Sequence, residues 1–120
     1  MQIEVLYRPS YSLAKVRLQP NEGLVAEAGA MVGMTSTLQI ETKMRGGLLK
    51  SLTRSVLGGE SFFVNTFRAN ERGGEILLAP TLPGDIYFAE LTNQNYLVQS
   101  GSFLASGEGI TTDTKWSGAK

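Results

Sequence analysis

A chain of 120 residues, 42% hydrophobic and 18% charged, has the length and composition of one globular domain, too short for two cores and too apolar for wholesale disorder. Eleven basic and eleven acidic residues give a formal net charge of zero and a pI near 6.3, which argues against a dedicated nucleic-acid binder and specifically against DNA. No apolar run approaches the ~20 residues that span a bilayer and no secretory leader is recognisable, so with no cysteine a cytoplasmic location is expected.

The sequence holds no histidine either. Without His or Cys there is no Ser-His-Asp or Cys-His pair, no imidazole proton shuttle and no ordinary zinc or iron site. Catalysis would have to use carboxylates, Lys, Tyr or hydroxyls. The expectation is a protein that is not an enzyme and needs no cofactor.

In chain order, Gln2–Tyr7 and Ser12–Leu18 are short apolar-rich segments around Arg8-Pro9-Ser10. The second alternates Leu13, Lys15 and Arg17 against Ala14, Val16 and Leu18, as a half-buried strand does. Pro20-Asn21-Glu22-Gly23 predicts a turn with Gly in the left-handed position. Leu24–Glu27, Ala30–Met34 and Leu38–Lys43 follow as strands. Between the glycine pairs at 46–47 and 58–59, Leu48, Leu49, Leu52 and Val56 fall on one helical face, with Lys50, Ser51, Arg54 and Ser55 away from it. One short basic helix is therefore expected there.

Glu60–Ala69 is the longest strand candidate, and Asn70-Glu71-Arg72-Gly73-Gly74 turns after it. Glu75–Ala79 and Asp85–Leu91 read as strands about Pro80-Thr81-Leu82-Pro83-Gly84. Tyr96–Gln99, Ser102–Ala105 and Ile110–Thr114 complete about ten strands, the pattern of a sandwich or barrel. Residues 27–43 also lie without gaps on residues 99–115: Gly29 meets Gly101, Met31 meets Phe103, Leu38 meets Ile110, and Glu41-Thr42-Lys43 meets Asp113-Thr114-Lys115. The single domain, 1–120, is accordingly read as one full unit and the start of its repeat.

Glu27-Ala-Gly-Ala-Met-Val, Arg45-Gly-Gly with Arg54, Gly59-Glu-Ser-Phe-Phe-Val-Asn-Thr-Phe67, Leu78-Ala-Pro-Thr-Leu-Pro-Gly-Asp85 and Val98-Gln-Ser-Gly-Ser-Phe-Leu-Ala-Ser106 together resemble the AIM24 family over nearly the whole chain. That family comprises fungal mitochondrial-biogenesis factors and uncharacterised bacterial and archaeal members. The resemblance implies a duplicated fold similar to the tryptophan RNA-binding attenuation protein, of the double-stranded β-helix or jelly-roll class. It also implies homo-oligomers and no established enzyme activity. Members usually continue well beyond this length to complete the second half.

RNA sites need cations beside exposed aromatics, and Lys43, Arg45, Lys50 and Arg54 have none among them, which argues against RNA. Three readings of this cluster stand: a solvated helix face, a contact to a neighbouring subunit, or a site for an anionic partner such as a phospholipid surface or nucleic acid. Between Gly73 and Thr114 there are five acids and no base, so head-to-tail assembly into a ring or trimer would set opposite charges in register. The two regions facing each other within one subunit, or facing water, is the competing arrangement. Phe62, Phe63 and Phe67 are expected in the core or at a subunit interface, with Glu60 at a strand end. Asp85 is expected to start a strand after its Leu-Pro-Gly turn. Trp116 either caps the core or is exposed. The function expected is a non-enzymatic oligomeric scaffold or binding protein of the AIM24 type, with a small-ligand-binding cupin-like barrel as the alternative.

Overall fold

The computed structural model describes residues 1–41, 54–57, 60–99 and 101–112, with the backbone alone at 54–57 and 60–62. Nine strands form among them: β1 Gln2–Leu6, β2 Leu13–Leu18, β3 Gly23–Glu27, β4 Met31–Met34, β5 Leu38–Glu41, β6 Arg54–Leu57, β7 Glu60–Ala69, β8 Gly74–Leu78 and β9 Ala105–Gly107. All pairings are antiparallel. One sheet runs β1-β2-β8-β4 and the other β5-β7-β3-β9, with β6 paired to β7.

Period-2 alternation builds both sheets. In β2, Ala14, Val16 and Leu18 are buried while Lys15 and Arg17 point away, and in β8 Ile76 and Leu78 do the same. These meet Leu24 and Ala26 of β3, Leu38 of β5 and Phe67 and Ala69 of β7 in one apolar cluster, so the core lies between the two sheets. Ile86 and Leu104, from outside the strands, pack on its rim.

The connections depart from expectation in instructive ways. At Pro20-Asn21 the left-handed residue is Asn21, with φ 64°, and the Glu22 amide closes the turn on the Gln19 carbonyl at 3.1 Å. Gly23 instead opens β3. A Cβ there would stand 3.0 Å from Arg68 Nη2 and from the Glu108 carboxyl group, so the bare backbone makes room for that ion pair. β4 carries a bulge between Met31 and Gly33, where it runs along β8.

The expected helix is corrected at its described end. Arg54 to Leu57 form a strand whose register sets Arg54 opposite Phe63 and Leu57 opposite Glu60. A strand paired with β7 therefore stands where the end of the helix was expected. The remainder of the helical stretch lies outside the described residues. The segments 85–91 and 96–99, expected as strands, join no ladder among the described residues. The last expected strands also shift: β9 begins only at Ala105, and residues 110–112 form no strand with any of the described residues.

The chain makes the same pair of turns twice. Ala30 donates to the Glu27 carbonyl at 3.0 Å about Gly29, φ 88°, and Ser102 donates to the Gln99 carbonyl at 2.9 Å about Gly101, φ 89°. Eight residues on, Leu38 donates to Thr35 and Ile110 to Gly107, both at 3.2 Å. Their neighbours differ, since β4 joins β8 in one sheet while β9 joins β3 in the other.

Candidate functional site

Beyond β8 the chain leaves the sandwich through Pro80–Gly84 and is first tied back beside the β1–β2 hairpin. The Ser12 amide donates to the Gly84 carbonyl at 2.9 Å. Arg8 grips Asp85 with two parallel hydrogen bonds of 3.0 Å, and the buried Ser12 hydroxyl donates to the same carboxylate at 2.6 Å. Hydrogen bonding from Arg8, then from Ser12, lowers the Asp85 pKa to about 2. Asp85 is therefore the fastening of this segment to the β1–β2 hairpin and does not begin a strand.

What the fastening holds is apolar and uncovered. Leu82, Tyr87, Phe88, Tyr96, Leu97 and Val98 are all exposed, Tyr87 at 78% and Leu97 at 85%. A hydrogen bond to the Tyr87 hydroxyl raises the Tyr96 pKa above the usual phenol value. The arms 85–91 and 96–99 are joined by a turn at Asn93, φ 59°. Among the described residues no strand pairs with either arm.

A second polar cluster sits at the edge of the other sheet. Arg68 on β7 donates to Glu41 of β5 at 2.9 Å, to the Asn21 carbonyl at 3.1 Å and to both carboxylate oxygens of Glu108. The hydrogen bond from Arg68 pulls the Glu108 carboxyl below its usual range, and hydrogen bonds to Glu108 and then Glu41 raise Arg68 in turn. The groove beside it, about 240 Å³ and lined by polar residues including Thr37, Gln39, Glu41 and Arg68, is smaller than ordinary ligand pockets of ~300–1,000 Å³. A second groove of about 240 Å³ lies over Glu4, Lys15, Arg17 and Glu75. Lys15 and Arg17 both reach Glu75 there, at 3.6 Å. No group of three metal-ligating side chains gathers among the described residues, and no helix in them is long and apolar enough to cross a membrane.

Of the residues singled out in the sequence, Lys43, Arg45 and Lys50 lie outside the described residues, and Arg54 stands on β6. Phe62 lies on β7 with its backbone opposite Ser55. The other two phenylalanines part company: Phe67 is 2% exposed in the centre of the core, and Phe63 is 42% exposed. Sequence reasoning missed the clamp, because Arg8 and Asp85 are separated by most of the chain and nothing local announces their pairing. It missed the ribbon for the opposite reason. Turn residues on either side mark Asp85–Leu91 as a strand, and turn signals do not report whether a strand has a neighbour.

These features define an all-β protein of two antiparallel sheets with a side-chain-filled interior and an uncovered apolar ribbon fastened to one end. The family profile described as mitochondrial biogenesis AIM24 matches residues 3–120, and the chain belongs to that family. An uncharacterised protein of Streptococcus pyogenes serotype M6 is 31% identical over 101 residues, which is 79% of this chain and 40% of that protein. The crystal structure of another Streptococcus pyogenes protein superposes with a TM-score of 0.70 at 26% identity, covering 89% of this chain and 50% of that one. The chain thus spans half or less of the length of these relatives.

Proposed function

We propose that the protein is a non-enzymatic scaffold that works by association, and that its ribbon of exposed apolar side chains is the associating surface. The observation that carries this reading is the amount of apolar surface left in water beyond residue 80. At 150–250 Å² for a whole aromatic side chain and somewhat less for Leu or Val, scaled by exposures of 48% to 85%, the six residues together present about 700 Å². The largest apolar patch on a typical monomer is ~300–600 Å². Charged groups with displaced pKa values support the same reading, since Arg8, Asp85, Arg68 and Glu108 are all engaged in ion pairs. A ligand held between the sheets finds no support, because Leu24, Phe67, Ile76 and Leu78 fill that space.

The finer architecture we infer is a duplicated unit of the double-stranded β-helix type. It is supported by the matching turns at 27–30 and 99–102 and at 35–38 and 107–110. The test of association is the mass of the purified chain by light scattering at micromolar concentration. An oligomer is expected, and a strictly monomeric chain overturns the reading.

A further inference from the structure

We propose that Arg68 couples the two sides of the second sheet, so that the fastening of β5 and the fastening of β9 strengthen and weaken together. β5 lies in the first copy of the internal echo, residues 27–43, and β9 in the second, residues 99–115. The coupling thus runs between one unit and the start of its repeat.

Arg68 stands on β7, yet its guanidinium holds chain on both sides. The order β5-β7-β3-β9 sets β5 next to β7 and puts β3 between β7 and β9. Glu41, the last residue of β5, accepts from Nε at 2.9 Å. Glu108, directly after β9, accepts from both Nη groups, and the Asn21 carbonyl accepts from Nη1 at 3.1 Å. The arginine crosses β3 at Gly23, its own partner in the ladder, where no side chain stands in the way. A Cβ there would lie 3.0 Å from Arg68 Nη2 and from the Glu108 carboxyl group.

Two opposing effects decide the sign. A free arginine side chain has many rotamers, and ordering it costs at least as much as one exposed ion pair returns. Once one carboxylate has fixed the side chain, the other gains its hydrogen bonds without that ordering cost, so the two contacts favour each other. Repulsion between Glu41 and Glu108 acts the other way. Both side chains are partly exposed, at 38% and 47%, so water screens it. They also use different edges of the guanidinium, and neither takes a donor from the other. Cooperation prevails.

Amide hydrogen exchange of the whole chain, followed by NMR, reads the two sides separately. Glu108→Ala is expected to speed exchange about 5-fold along β9 and about 2-fold along β5, on the far side of the sheet from Glu108. The β1–β2 ladder, in the other sheet, is expected to keep its rate. Glu41→Ala is expected to loosen β9 in the same way, because coupling between two contacts is reciprocal. In an Arg68→Met protein, removing Glu108 is expected to leave β5 exchange where it was, since the connecting side chain is gone.

Faster exchange confined to β9 in Glu108→Ala overturns the coupling. Slower exchange along β5 overturns it too, because the two carboxylates would then be competing for one guanidinium. An equal rise in every ladder does the same, since the loss would be one of global stability. The association reading stands apart from all of these outcomes and is decided by the mass in solution.

Discussion

Gly74→Ala is the sharpest test of how the two sheets meet. Gly74 opens β8 opposite Leu18, directly beneath β5. A Cβ at this position would stand 2.0 Å from Leu38 Cδ1, 2.6 Å from Thr37 Oγ1 and 2.7 Å from Thr35 Oγ1. Carbon atoms in contact sit ~3.5–4.0 Å apart, so Leu38 must retreat by about 1.5 Å. Leu38 is buried against Phe67 and Ala69 and has little space to retreat into. The threonines are equally held: their hydroxyls share a 2.8 Å hydrogen bond, and Thr35 Oγ1 accepts the Glu75 amide at 3.1 Å. Overpacking of this kind costs ~1–3 kcal/mol, and loss of the threonine bond adds ~1 kcal/mol. The smaller unfolded-state entropy of Ala returns ~0.4–1 kcal/mol. The net expectation is about 2 kcal/mol of destabilisation, which at a urea slope of ~1–3 kcal/mol/M lowers the midpoint by about 1 M with the slope unchanged. Gly74→Ala combined with Leu38→Ala is expected to cost less than the two changes added, because the second opens the space that the first requires. A Gly74→Ala protein as stable as the parent refutes the reasoning.

Phe67→Ala, at the centre of the core, is expected to cost ~3–5 kcal/mol in the same urea assay, against a small effect at Phe63, which is far more exposed. The Asp85 carboxyl has a folded pKa of about 2 against an ordinary 3.8, so its contribution to stability is present above pH 3.8 and fades as the pH falls towards 2. Asp85→Asn should therefore be less stable than the parent at neutral pH, with the gap closing over that window; a gap constant with pH would contradict the Arg8 clamp. Arg68→Met removes the main cause of the low Glu108 pKa, and a carboxyl titration followed by NMR should show that group moving up towards 4.5.

Much of the sandwich is legible in the sequence, because alternation reports a physical face. Ala14, Val16 and Leu18 are read as one side of a strand and are buried together, and β7 spans Glu60–Ala69 just as its composition suggests. Alternation is silent on partners. Tyr87 and Phe88 carry the same signal as Ile76 and Leu77, yet β8 lies between two strands and residues 85–91 lie beside none among those described. The helical reading of Leu48 to Val56 fails at its described end because apolar spacing over so short a run fits either period, and a glycine pair serves a hairpin as well as a helix end. The Arg8–Ser12–Asp85 fastening is invisible for a different reason. It depends on where two distant loops come to rest, and only the assembled sheets bring them within hydrogen-bonding distance.

The strand order has a consequence for biosynthesis. β2 pairs with β1 almost at once, but the other edge of β2 waits for β8, with Leu18 finding its place opposite Gly74. At ~5–20 residues per second, a ribosome delivers that strand roughly 3–12 s after the hairpin is made. Through that interval a nascent hairpin keeps one edge of β2 without its partner, so this small domain has reason to meet a holding chaperone before its first sheet is complete.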